Sequence, residues 1–415
     1  MNTQNEKDTV IYQKYQDHIS TTYPSFLKKL GILSTAVKAQ GSIIEDSDGC
    51  EYIDCVSGYG VFNIGHNHPK IINDITNLLK QSQLFTNPFI TNIQIQAAEK
   101  LSEIAPGDMP YSFLCNSGSE AVDTAIKLAR LYTGKKEIIT SFNSFHGFTY
   151  GGLSATGIHS FTKLFKPLIP QIIQVPYDDI NIIKKAISKD TAAVLLEPIQ
   201  HEAGIHIPSD DYLRQVRQLC NEHNVLLIID EIKTGMGKTG AMFCCNELGI
   251  IPDILVLGKS LGGGVMPVGA IMASKKLWRK FSYSFPMAAS SNSGNILACQ
   301  AVISTIDILK EEKLLSECQE KGIIFSNMLQ QVIETSEGLL KKVDGKGMLY
   351  GVKTNSAQTT LMIVKEMIQQ GILVFPSYLD AETIIIEPSL VISNEQIKKV
   401  IKVLDDVCKK MVAEL

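Results

Sequence analysis

AAVLLEPI at residues 192–199 and VLLIIDE at residues 225–231 are apolar on successive positions, not alternate ones. Runs of that length and texture describe strands covered on both faces. Comparable runs stand at 111–116, 137–142, 171–176, 253–258 and 268–273. Amphipathic stretches separate several of them. Over 119–133, Ala121, Val122, Ala125, Ile126, Ala129 and Leu131 recur at near-helical spacing, and Gly134 supplies a stop. A second such stretch covers 210–223. Strands joined by helices imply an α/β domain on a mostly parallel sheet. The C-terminal third reads as a smaller α+β domain. Helical patterns lie near 295–311, 315–335, 357–370 and 394–413, and short strands near 347–353 and 382–387.

Composition narrows the function. A chain of 415 residues, 45% apolar and 20% charged, suits two or three globular domains. Its 39 Lys and Arg against 43 Asp and Glu give a formal charge of −4, which argues against nucleic-acid binding by phosphate neutralisation. No apolar run approaches the roughly 18 residues of a membrane span. The polar start MNTQNEKDTV has no secretion-signal pattern, so a cytoplasmic location is expected. Nine irregularly spaced cysteines without a CxxC pair read as small apolar residues with free thiols. His66 and His68 lack a third ligand in reach and read as a structural turn, so no metal is expected. Gly235-Met236-Gly237-Lys238-Thr239 looks like a nucleotide loop, but Ile232 stands where its first glycine is required.

In a sheet of this kind, chemistry gathers at the carboxyl ends of the strands. Ser117-Gly118-Ser119-Glu120 follows the run at 111–116 and opens a helix, which leaves backbone N–H groups free for a phosphate; taken alone, a plain helix cap with Glu120 in the first turn explains it better. Asp230 and Glu231 end the run at 225, where ionised carboxylates are costly to bury without partners. Lys259 sits between an apolar strand and the glycine-rich Gly262-Gly263-Gly264, a place for a partly desolvated amine that condenses with carbonyls. Phe145 and His146 follow the strand at 137–142. A phosphate cradle, a carboxylate, a Schiff-base amine and a flat ring to stack on are together what pyridoxal phosphate needs.

These motifs resemble the class III aminotransferases of the fold-type I pyridoxal-phosphate enzymes, the group with ornithine, acetylornithine and putrescine aminotransferases. The similarity runs through DGCEYIDCVSGYGVFNIGHNHP, LCNSGSEAVDTAIKLAR, SFHG, LLEPIQHEAG, IIDEIKTGMGKTGAMF, PDILVLGKSLGGGVMPVGA and GNILAC in order. The resemblance implies a seven-stranded, mostly parallel large domain over 61–305. It also implies an N-terminal segment, 1–60, joining the small domain of 306–415. Lys259 matches the Schiff-base lysine and proton carrier, Asp230 the partner of the pyridine nitrogen, Ile232 the apolar side chain behind the ring and Phe145 the stacking aromatic beside His146. Ser117, Gly118 and Ser119 match the phosphate loop. Ser291 falls where the family has a threonine reaching the partner subunit's phosphate, which implies a homodimer with shared sites. The implied reaction moves an amino group from a primary amine to an oxo acid or aldehyde in two half-reactions.

The departures bear on substrate. Lys233 replaces a glutamine that meets the cofactor's phenolic oxygen. Phe148 and Ile385 replace two arginines that hold substrate carboxylates. Losing the second arginine leaves Glu202 to find another partner, either Lys233 or a substrate ammonium. A diamine and a greasy chain are both consistent with that. The rival readings are a related epimerase or decarboxylase on the same cofactor, and a non-catalytic cofactor-binding protein.

Overall fold

The computed structural model describes residues 2–81, 89–282 and 290–414. Three short strands come first: β1 (Ala36–Gln40), β2 (Ile43–Asp46) and β3 (Glu51–Asp54), paired antiparallel in sequence order. The seven apolar runs follow as β4 (Tyr111–Cys115), β5 (Glu137–Ser141), β6 (Ile172–Val175), β7 (Thr191–Leu196), β8 (Leu226–Asp230), β9 (Ile254–Leu257) and β10 (Gly269–Ala273). They form one sheet in the order β4-β10-β9-β8-β7-β5-β6. Pairing is parallel from β9 across to β6, while β10 runs antiparallel to both its neighbours. The short 258–268 connection leaves no room for a helical crossover, which suits an antiparallel neighbour.

The continuous apolar texture has a direct cause. Ile228 of β8 and Ile254 and Val256 of β9 join the core under helix Gly118–Thr133. Leu227, Ile229, Leu255 and Leu257 point the other way, into a core shared with helices Tyr212–His223 and Ile296–Glu311. Alternate residues thus serve opposite cores, and no position on these strands is left for solvent. Helix Gly118–Thr133 starts where Ser117 Oγ accepts from Glu120 N–H at 3.2 Å, and it ends at Gly134 in the left-handed region.

The C-terminal strands are β11 (Leu340–Lys346), β12 (Leu349–Thr354), β13 (Ile372–Leu373), β14 (Phe375–Pro376) and β15 (Thr383–Ile386). Four form a sheet in the order β11-β12-β15-β14, with helices Leu314–Thr335, Ala357–Gln369 and Asn394–Ala413 nearby. The fifth, β13, joins the N-terminal sheet and pairs parallel with β3 through Ile372 and Ile53. Among the described residues, no helix is long and apolar enough to cross a membrane.

Candidate active site

Strand ends of the large sheet converge on one cavity. Its wall comprises Gly118, Ser119, Phe145, His146, Gly147, Glu197, Asp230, Ile232, Lys233 and Lys259, together with His201 and Glu202. Asp230 is the last residue of β8 and is buried. Its Oδ1 accepts from Ile232 N–H at 3.0 Å, and its Oδ2 lies 2.8 Å from His146 Nδ1. Burial pulls the His146 pKa down, but the bond to Asp230 outweighs it and holds the imidazole above its ordinary value. The other acid of the pair, Glu231, turns away from the cavity. It accepts from Thr234 Oγ1 at 2.5 Å and Cys245 N–H at 2.7 Å, and burial raises its pKa.

Lys259 stands just past β9, after Gly258, and adopts a left-handed backbone with φ of 45°. A non-glycine residue there is strained, so the surrounding glycine-rich turn imposes the conformation. Close approach explains the cradle beside it. A Cβ on Gly118 would stand 2.8 Å from Ile232 Cδ1, so only glycine lets the helix start reach this wall. The Gly118 and Ser119 amides, in the first helical turn, have no intrahelical acceptor.

Ser117 is the exception among the phosphate-loop residues. Its side chain caps the helix and does not line the cavity. Ser291 lies on an exposed turn, also away from the cavity wall of its own chain. Phe148 and Ile385 line an adjoining outer cavity of about 680 Å³, which shares Phe145, His201 and Glu202 with the inner one. Rings build one wall of it: Phe145 to Phe148 at 5.2 Å, Phe148 to Phe161 at 5.5 Å and Phe161 to Tyr378 at 4.8 Å. Tyr23 and Phe26 from the N-terminal segment, with Tyr59 and Phe375, build another. Among the described residues, no lysine or arginine lines this outer cavity.

Of the two expected partners of Glu202, a lysine at 233 or a substrate ammonium, the first needs correction. Lys233 is ion-paired with Glu387, and Glu202 Oε1 is instead met by its neighbour, His201 Nδ1, at 3.0 Å. His201 Nε2 is 3.4 Å from Glu387 Oε2, so the four side chains form a continuous row. Backbone bonds bring Glu387 there. Its N–H donates to Cys55 O at 2.7 Å, and the buried Lys238 donates to its carbonyl at 3.3 Å and to that of Pro388 at 2.9 Å. Burial raises the Glu387 carboxyl, but Lys233 and His201 overcome that and hold it well below the usual range. Burial lowers the Lys233 ammonium against the pull of Glu387, and Lys259 adds to the depression. Glu202 is likewise held low by His201 despite burial.

Glu197 was not singled out by the sequence reading. It stands just past β7 and accepts from Phe145 N–H at 2.9 Å; burial above all pushes its pKa up to about 7. Its signal was a lone acid closing the apolar run AAVLLEPI. His66 and His68 meet carboxylates: His66 pairs with Asp54 at 2.7 Å and His68 with Glu312 at 2.9 Å.

A parallel-rich sheet with an amine, a carboxylate and a small-residue helix start at its strand ends is the arrangement of the pyridoxal-phosphate aminotransferases. The chain belongs to the class III aminotransferases, whose family model matches residues 28–408. It is similar to the ornithine aminotransferase of Toxoplasma gondii, with 26% identity and a TM-score of 0.91 over 98% of this chain and 96% of that one. It is also similar to the acetylornithine aminotransferase of Elizabethkingia anophelis, with 28% identity and a TM-score of 0.84 over 97% and 99%. An amine transaminase from an uncultivated Pseudomonas species, solved with pyridoxal phosphate bound, matches at 26% identity and 0.85 over 91% and 95%. The protein is a transaminase, and its cofactor is pyridoxal phosphate.

Proposed function

We propose that the amino donor is a primary amine with no carboxylate beside its reacting carbon, a diamine or long-chain amine. The observation that carries this is the outer cavity, with Phe148, Ile385 and other apolar side chains on its walls, Glu202 facing in, and no lysine or arginine among its described lining residues. A dicarboxylate would meet rings and an acid there. An ammonium would meet Glu202, and an alkyl chain the aromatic wall.

The donor set of the inner cavity suits the cofactor. Gly118 leaves the helix start bare for a phosphate, Asp230 offers a buried carboxylate for the ring nitrogen, and Phe145 and Ile232 offer flat and apolar contacts for the two ring faces. Pyridoxal phosphate, when bound, supplies a carbonyl carbon and an electron-accepting ring. Lys259 Nζ would hold the cofactor's carbonyl carbon and would serve as the base for the proton on the donor carbon. His146 keeps the Asp230 carboxylate oriented. Glu202 holds the donor, and the rings keep water from the reacting centre. The working form is a homodimer in the cytoplasm, with Ser291 of each chain reaching the other's phosphate. Its exposure in the single chain supports that placement.

The test is an absorbance spectrum of purified protein titrated with amines and amino acids. A diamine or long-chain amine should bleach the visible cofactor band at concentrations where glutamate leaves it unchanged. Glutamate acting first would overturn the donor assignment, and a band that no amine converts would overturn transfer from amines. Lys259→Ala should remove turnover with every donor.

A further inference from the structure

Phe145, His201 and Glu202 are the described residues common to both cavity walls. A closed turn fixes the last two. Gly204 and Ile205 N–H donate to His201 O at 3.1 and 3.2 Å, and Gln200 and His206 exchange backbone bonds across its base. Ser377 Oγ donates to Glu202 O at 3.1 Å. The buried His201 ring is thereby held between two carboxylates. Its Nδ1 lies 3.0 Å from Glu202 Oε1 and its Nε2 3.4 Å from Glu387 Oε2, the second contact lacking hydrogen-bond alignment. Behind Glu387 stand Lys233, as its ion pair, and Lys238, at its backbone. Lys259 is within electrostatic reach of Glu202, and Tyr59 of both acids.

Protonation decides what this ring can do. A neutral imidazole has a single N–H and serves one acid, whereas the imidazolium has two and serves both. With the imidazolium, the row of Glu202, His201, Glu387 and Lys233 sums to zero charge. An ammonium arriving at Glu202 would leave the buried row one charge in excess, and loss of the His201 proton restores the balance. The ring then keeps its Nδ1–H on Glu202, and Glu387 keeps Lys233. Glu202 Oε2 has no hydrogen-bond partner among the described residues, so it is open to the newcomer. We propose that His201 is a positioning residue that holds Glu202 as an imidazolium in the free enzyme, and that the donor's ammonium enters in exchange for its Nε2 proton. That proton passes to solvent through the outer cavity. Donor binding is therefore coupled to proton release, and cationic donors bind more tightly as pH rises. This rests on the amine-donor reading above.

The probe is butyltrimethylammonium, a permanent cation that cannot condense with a carbonyl and brings no proton of its own. Any proton released on its binding comes from the protein. Holoenzyme is titrated with it calorimetrically in Hepes and in cacodylate, whose different ionisation enthalpies report the protons released. Wild-type enzyme should release up to about one proton per cation bound, and its affinity should rise by at least about fivefold from pH 6 to pH 8. Hexanol, a neutral chain, should bind with no release and no pH dependence. His201→Gln keeps a donor for Glu202 but has no proton to lose, so it should bind the cation without release and without pH dependence. Glu202→Gln should bind the cation at least about tenfold more weakly, about 1.4 kcal/mol. The proton count on wild-type enzyme stands whether or not either variant folds. Binding without proton release in wild-type enzyme overturns the proposal and leaves the amine-donor reading standing. Release that persists in H201Q does the same, and moves the proton to Lys233. A cation that binds no better than hexanol overturns both, because Glu202 then holds no ammonium.

Discussion

His146 Nδ1 and Asp230 Oδ2 share a contact of 2.8 Å at a point where neither side chain reaches solvent. Because the folded His146 pKa is raised, the pair stabilises fully below the ordinary histidine value of about 6.5 and loses that contribution as pH climbs through the raised value. His146→Gln should therefore lower the melting temperature more at pH 6 than at pH 9, by the equivalent of about 1–3 kcal/mol at the lower pH. Melting curves of both proteins at the two pH values decide it. A gap that widens at pH 9 would contradict the assignment.

Glu197 gives a second pH dependence of the same sign. Its carboxyl titrates near 7 in the folded chain, so folding favours its protonated form, and that advantage is lost as pH rises through 7. Cofactor-free protein should be more stable at pH 5 than at pH 8, with Glu197 contributing on the order of 3 kcal/mol to the difference. Glu197→Gln should flatten the profile, as read by urea midpoints across that range. An unchanged slope would remove Glu197 as its source.

Gly147 has φ of 115°, and a Cβ there would fall 2.2 Å from Ser119 Oγ, the acceptor for Phe148 N–H. Gly147→Ala should cost about 1–3 kcal/mol through backbone strain and push Ser119 away from the helix start. Weaker retention of pyridoxal phosphate on dialysis should accompany the lower melting temperature. Normal retention would mean that Ser119 does not hold the phosphate.

Ile385 lines the outer cavity with Glu202 and Glu387. Ile385→Arg would place a guanidinium where no lysine or arginine stands among the described lining residues. Cofactor bleaching by glutamate should then become easier by at least about tenfold, about 1.4 kcal/mol, while bleaching by a diamine weakens. The ratio of the two half-reaction rates is the measurement. A ratio that stays put would place the donor elsewhere.

Much of this was legible because burial leaves a signature along the chain. β7, β8 and β9 are apolar from Ala192 to Leu196, from Leu226 to Ile229 and from Ile254 to Leu257 because these residues feed cores on both faces, and the charged residues that close the runs, Glu197, Asp230 and Lys259, are in the cavity wall. The N-terminal sheet was not legible. β13 has only two residues, and its partner β3 lies near the other end of the chain, so no local period encodes the pairing. The row from Lys233 to Glu202 was hidden for the same reason. Glu387 approaches Lys233 through long-range backbone bonds to Cys55 and Lys238, while the partner of Glu202 is simply its neighbour.

The pairing of Ile53 with Ile372 also sets a schedule for synthesis. About 320 residues separate the partners, so at roughly 5–20 residues per second the ribosome takes about 15–60 s to deliver β13 after β3 has emerged. Throughout that interval the edge of β3 has no strand to close it, although the seven strands of the large sheet are complete by residue 273. Until β13 arrives that edge is an unpaired template for a neighbouring chain, and the interval is longer than the synthesis of all seven strands of the large sheet.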